Sequence, residues 1–374
     1  MRCEVTPFPA LMCKVGETEV YTGRALRESL GEYLDALAGG GRVLVTWDGE
    51  GENEAKRTTE ALRGFGLRVT EKPDADVCEA EENCLVVLGV GGERAASAAK
   101  RAAADRGADC VLMPVIPCED GLLAGGRVTA VCLDAEVLEG APRDSLAAAA
   151  GILFALPLRR FEDVYAEKVL AEPHAEERVS TPSEGDGIAD TAVKVMRAGA
   201  SGRRYAADVT AEMLRLIALS KGKKPRRKGE YVFVAACALA AFYKAYLSSP
   251  AADTLVPADH CRALDELVRL NGGEEGNIIQ AFDIFDVSGY FRINYILGEY
   301  RLDLIAELAG AELGTSARRW RRMYEDAGFW MKSAFTSGDM IRAMALAGET
   351  AGGLLGFASA TGVFDAMERA GKEQ

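Results

Sequence analysis

Residues 84–101, which read CLVVLGVGGERAASAAKR, constrain the fold more than any other stretch. Leu85 to Leu88 is a short apolar run with the length and β-branched content of a buried strand. Gly89, Gly91 and Gly92 follow, and then an alanine-rich run whose strongest preference is helix. Strand, glycine turn and helix in this order aim backbone N–H groups at an anion. Glycines suit such a turn because a Cβ would obstruct the anion and forbid positive φ. The alternative is a strand–turn–helix that binds nothing.

Around this stretch, strand and helix patterns alternate. Residues 1–23 alternate apolar and polar positions about Val15 and Val20, as a leading strand or hairpin would. Arg24 to Ala38 places Leu26, Leu30, Leu34 and Leu37 on one helix face and ends at three glycines, Gly39 to Gly41. Arg42 to Trp47 reads as a strand stopped by Asp48-Gly49. A helix follows from about Glu52 to Arg63. Further strands are expected at Leu67–Glu71, Val111–Ile116 and Arg127–Leu133. This alternation predicts a parallel sheet with helices on both faces. Past Arg143 to Gly151 strand patterns nearly vanish, and helical segments continue to Arg369. The expected architecture is an α/β domain over residues 1–144 followed by an all-α domain over residues 145–374.

The chain has 374 residues and a net charge of −13. That balance argues against nucleic acid as a partner, because a phosphate backbone requires a basic face. Nine cysteines occur without CxxC pairs or zinc-type spacing. Cys84, Cys110, Cys132 and Cys237 sit in apolar runs and read as buried free thiols of a reducing compartment. The N-terminus has no basic segment leading into a long apolar core. The apolar run Tyr231 to Tyr243 reads as too short to cross a bilayer. A cytoplasmic protein with no membrane partner is expected.

Residues 91–100 resemble the Gly-Gly-Gly-Ser-x-x-Asp-x-x-Lys loop of one superfamily. It holds the iron-containing alcohol dehydrogenases, glycerol dehydrogenases, glycerol-1-phosphate dehydrogenases and dehydroquinate synthases. Gly91, Gly92 and Lys100 match that loop. Glu93, Arg94 and Ser97 replace its third glycine, its serine and its aspartate. Residues 113–119 are similar to the family's Pro-x-x-x-Pro-Thr segment, with Cys118 at the threonine. Residues 129–138, with Pro142 after them, are similar to its strand ending in Asp, then Val-Leu, then Pro. The helical half resembles the family in outline only. The resemblance implies a Rossmann-like sheet and an NAD or NADP cofactor at Gly91, Gly92, Glu93, Arg94, Lys100 and Cys118. It also implies a small-molecule substrate, a polyol or its phosphate, and a homo-oligomer.

In the dehydrogenase members an aspartate and two or three histidines hold a divalent metal, Fe or Zn, that polarises a substrate oxygen. The aspartate ends an Ala-Gly-x-Gly-Asp pattern. Here the comparable residues are Ala150 to Phe154, and Phe154 cannot bind metal. The chain has only two histidines, His174 and His260. By resemblance the first metal histidine falls near residues 229–231, where none stands. His260 is the candidate remnant, with Asp259 or Glu230 as nonstandard companions; a helix-terminal or surface histidine is the alternative. His174 reads as solvent-exposed. Glu93 would set a carboxylate beside a pyrophosphate, at a cost of about 1 kcal/mol at ~4 Å in water. Arg94 would offset this by turning to the phosphate, or would pair with Glu93 instead. The run Lys221–Lys228 reads as a solvated loop or as a collector of acidic ligands.

Three functions remain open on these residues. The first is a divergent NAD(P)-dependent oxidoreductase acting on a small polyol or polyol phosphate, its family metal site largely lost. The second is a catalytically silent homologue that serves in binding or subunit interaction. The third is a dehydroquinate-synthase-like lyase.

Overall fold

The computed structural model describes residues 11–79, 83–117, 122–173, 180, 186–200, 203–248, 260–270, 287–313 and 334–372. The chain divides into two compact units, residues 1–149 with 185–201, and residues 150–184 with 202–374.

The first unit is built on a seven-stranded sheet. A hairpin comes first, β1 (Leu11–Val15) antiparallel to β2 (Thr18–Gly23), turning at Gly16 with φ 58°. Then α1 (Leu26–Ala38), β3 (Arg42–Trp47), α2 (Glu52–Phe65), β4 (Arg68–Pro73), β5 (Cys84–Gly91), α3 (Glu93–Arg106), β6 (Asp109–Pro114) and β7 (Ala130–Asp134) alternate. The strand order is β1-β2-β7-β6-β5-β3-β4, and every pairing except β1 with β2 is parallel. The sheet is therefore mixed at one edge rather than wholly parallel. Its central strands are dry: Val43, Leu44, Val45, Val86, Val87, Leu88 and Val111 are fully buried. Such continuous apolar strands are what a sheet covered on both faces requires. The chain lays β4 on one side of β3 and then returns to lay β5 on the other. The carboxyl ends of β3 and β5 therefore form a topological switch point, where open α/β sheets place their ligands.

After β7 come a short helix α4 (Ala135–Glu139) and the long helix α5 (Arg143–Tyr165), which runs across the boundary between the units. Helix α6 (Ile188–Ala200) packs with β1, β2, β7 and α4 and so belongs to the first unit. Sequence pattern alone places it within residues 145–374, with the helical half.

In the second unit, α5 continues into one π-helical turn (Ala166–Leu170). It is followed by α7 (Ala206–Ser220), α8 (Lys228–Ser248), α9 (His260–Leu270), α10 (Val287–Leu313), α11 (Ser337–Ala351), α12 (Gly353–Ala360) and α13 (Val363–Lys372). Their apolar faces share one core that includes Phe161, Tyr165, Leu214, Ile217, Tyr231, Leu239, Tyr243 and Phe357. Parts of the expected helical run, residues 271–286 and 314–333, lie outside the described residues. Helix α8, at 21 residues, is longer than its apolar run suggested. By length and composition it could cross a membrane, but 56% of the relevant window is buried inside the protein. The expectation that this run is too short is corrected; its apolar side chains form the centre of the helical core.

Candidate functional site

The glycine turn forms as its residues dictate, with β5 ending at Gly91 and α3 beginning at Glu93. Gly91 has φ 147°, a conformation that favours glycine. Gly92 is the N-cap of α3 and has no side chain to offer the orphan N–H groups of the first turn.

Two N–H groups at this helix start, Gly92 N and Ala95 N, are nevertheless met. Asp48, at the carboxyl end of β3, reaches across the switch point. Its Oδ2 accepts from Gly92 N at 2.9 Å and from Ala95 N at 3.2 Å. Its Oδ1 accepts from Glu50 N at 3.2 Å and Gly51 N at 3.1 Å. Gly51 is the N-cap of α2, so one carboxylate stabilises the starts of two helices. Asp48 is buried, with 6% of its surface exposed.

The glycines let these two loops close on each other. A Cβ on Gly51 would lie 2.0 Å from the Val90 carbonyl oxygen, and one on Gly91 would lie 2.4 Å from Asp48 Oδ1. Gly91 thus makes room for a carboxylate of the chain itself. With Asp48 seated, the residues present do not fit a dinucleotide pyrophosphate at this turn. Two like charges at about 4 Å repel by roughly 4 kcal/mol near a protein surface, and two backbone donors of the turn, Gly92 N and Ala95 N, are already engaged.

The remaining cofactor candidates scatter. Glu93 is exposed on the first turn of α3. Arg94 pairs with Asp74 at 2.8 Å, a partner that neither sequence expectation named. Lys100 is buried; its Nζ donates to the carbonyls of Leu122, at 3.1 Å, and Ala124 in the β6–β7 connection. Burial lowers the pKa of Lys100. Cys118 lies outside the described residues. Gly91 and Gly92 are brought together, whereas Arg94 and Lys100 serve as structural ties elsewhere. Asp48 was legible only as a strand breaker, because its two partners on the α3 terminus lie more than forty residues away and no local spacing links them.

Phe154, at the position where the resemblance expects an aspartate, is engaged in packing. Phe154 stacks at a tilt on Phe233, with ring centroids 4.6 Å apart, against the core of the second unit. One turn earlier, a Cβ on Gly151 would lie 1.9 Å from the Gly229 carbonyl oxygen, so α5 and α8 touch backbone to backbone. Glu230 accepts from Arg226 at 2.7 Å and from Arg227 N at 3.3 Å at the start of α8. His260 opens α9, but its side chain is outside the described residues, as are His174 and Asp259. Among the described residues no group of three or more His, Cys, Asp or Glu could hold a metal ion. The residues present at the expected aspartate position do not fit the family's metal.

The basic run before α8 is partly spent on internal pairs. Lys221 meets Asp339 at 2.5 Å, and Arg226 meets Glu230. Burial pushes the thiols of Cys110, Cys132 and Cys237 up to about 12, so they are poor nucleophiles.

No family model matches the chain. No curated protein matches it. Solved structures are similar at low identity. A probable glycerol dehydrogenase from Sinorhizobium meliloti is 16% identical, with a TM-score of 0.40, over 78% of this chain and 97% of that one. A glycerol dehydrogenase from Schizosaccharomyces pombe is 12% identical, with a TM-score of 0.44, over 83% and 91%. A 2-deoxy-scyllo-inosose synthase, complexed with carbaglucose-6-phosphate, NAD+ and Co2+, is 14% identical, with a TM-score of 0.45, over 77% and 86%.

Proposed function

We propose that this chain is a catalytically silent relative of the NAD(P)-dependent polyol and alcohol dehydrogenases, and that it works by binding rather than by hydride transfer. One observation carries this reading: the Asp48 carboxylate takes the backbone donors that a dinucleotide would use. The aromatic contact at Phe154 supports it, since that position would otherwise carry a metal-binding carboxylate. The protein would form homo-oligomers in a reducing compartment, without nucleic acid or membrane as partner.

A second reading is favoured by the intact strand–glycine–helix geometry. If the Asp48 side chain rotates away, Gly92 and Ala95 regain free N–H groups and a dinucleotide could enter, as a dehydrogenase requires. Thermal melts separate the two readings. The purified protein is scanned with NAD+ or NADP+, each with and without Zn2+ or Fe2+. A ligand at a hundred times its Kd adds about 2.7 kcal/mol of stability. The silent reading expects no shift for the native protein in any combination. A nucleotide-dependent shift that grows in Asp48→Ala would overturn it and establish a gated cofactor site.

A further inference from the structure

The second unit carries an apolar groove that neither the glycine turn nor the position of Phe154 uses. It lies against α8, α11 and α13 and has a volume of about 780 Å³, within the ~300–1,000 Å³ of small-molecule sites. Ala238, Ala241 and Ala245 form the α8 wall, at the three- and four-residue spacing of one helix face. Met340 and Met344 of α11 and Met367 of α13 add flexible thioether side chains, which adapt to an irregular apolar occupant. None of the described residues lining the groove is charged. Helix α8 is apolar nearly all round, and such a helix is normally covered. Ala241 and Ala245 are nevertheless exposed.

One end of the groove is marked by charge. Ser337 and Met340 line it at the first turn of α11. Asp339, between them in sequence, pairs with Lys221 at 2.5 Å, so the basic run 221–228 begins beside that end. Asp339 is otherwise spent on the capping box of α11, where its Oδ2 accepts from Thr336 N at 2.9 Å and from Thr336 Oγ1 at 3.0 Å. The Lys221 side chain is 40% exposed, and an ammonium has three donors, of which Asp339 takes one. Lys223 and Lys224 are exposed as well. In a chain of net charge −13 this is a local concentration of positive charge at the mouth of an uncharged groove.

We propose that the groove holds the alkyl chain of a free, single-chain fatty carboxylate whose headgroup is met by Lys221 and Lys224. The α8 wall runs from Cys237 to Tyr246, about 14 Å at ~1.5 Å per residue. That length suits an extended chain of roughly ten carbons. A strongly polar molecule would lose its hydration in the groove and find no partner there. An alkylammonium would bring its positive charge to the lysines, and a neutral alcohol would leave them unanswered. Every residue involved belongs to the second unit, so the inference does not rest on the reading of the glycine turn, which the nucleotide melts decide separately.

Isothermal titration of the full chain with decanoate, hexanoate, 1-decanol and decyltrimethylammonium, each kept dilute enough to stay monomeric, tests it. Decanoate should bind at one site per chain, and more tightly than the alcohol or the ammonium. Each methylene removed should weaken binding about fourfold, so hexanoate should bind roughly a hundredfold more weakly or worse. Ala241→Trp fills the groove from an exposed position; it should weaken decanoate about tenfold or more while leaving the melting temperature unchanged. Lys224→Gln, which keeps the Lys221–Asp339 pair, should weaken decanoate but not decanol. No binding of decanoate, decanol binding as tightly as decanoate, or full affinity in Ala241→Trp would each overturn the assignment. So would binding to phosphatidylglycerol vesicles without binding of free decanoate, which would mark a membrane surface. A dimer that Ala241→Trp dissociates and decanoate does not would give the groove to a second copy of the chain and overturn it too.

Discussion

Asp48 is held by four backbone N–H groups, and that count sets what its loss should do. Asp48→Ala leaves those donors buried and unmet. Each such group costs about 1–3 kcal/mol, reduced where water can enter, so a loss of roughly 3 kcal/mol is expected. Urea unfolding measures it; a change under about 0.5 kcal/mol would mean that Asp48 does not hold the two loops together. Glu162 makes a prediction of opposite character. Burial lifts it from 4.5 to about 8 in the folded chain. Between those two pH values the folded protein retains a proton that the unfolded chain has released. Its contribution to stability is therefore full below the lower value and falls as pH rises towards the upper one. The groups facing it are Ala206 N, Asp208, Tyr243 and Arg159. Melts between pH 5 and 8 should show the native protein losing a few kcal/mol relative to Glu162→Gln, in which that dependence flattens.

At the scale of elements, α5 and α8 approach backbone to backbone. Gly151 meets the Gly229 carbonyl with no room for a methyl group. Gly151→Val should therefore cost about 3 kcal/mol or prevent folding, because overpacking forces two helices apart. Phe154→Asp is the companion experiment. It places a carboxylate where the sequence resemblance expects one, at a site packed against Phe233 and the apolar core. Lower stability and no stoichiometric zinc or iron by elemental analysis are expected. Uptake of one metal per chain would show that the remaining ligands have survived. The existence of these elements was legible beforehand. Leu26, Leu30, Leu34 and Leu37 announced α1, and the run 85–88 announced β5, because burial of one face leaves a periodic trace. Helix α6 packs with β1, β2 and β7, and its apolar face looks the same in sequence whether it covers a sheet or other helices.

For the whole molecule, net charge sets a further expectation. At −13 the chain should show no binding to duplex DNA at physiological salt in a gel-shift assay, since few phosphates could be neutralised. The two units also divide what could be known early from what could not. Composition, periodicity and the glycines were enough to specify an α/β unit followed by helices, because hydrophobic patterning and backbone freedom act over neighbouring residues. They specified equally well that a strand would end in a turn able to receive an anion. Which anion fills that turn was decided in three dimensions, when the strand order carried Asp48 from one loop to the N-terminus reached through another. The apolar groove likewise joins residues 237 to 246 with others between 337 and 367. Electrostatic capture and cavity formation depend on distance in space, and a linear chain carries no periodic record of which remote residues will meet.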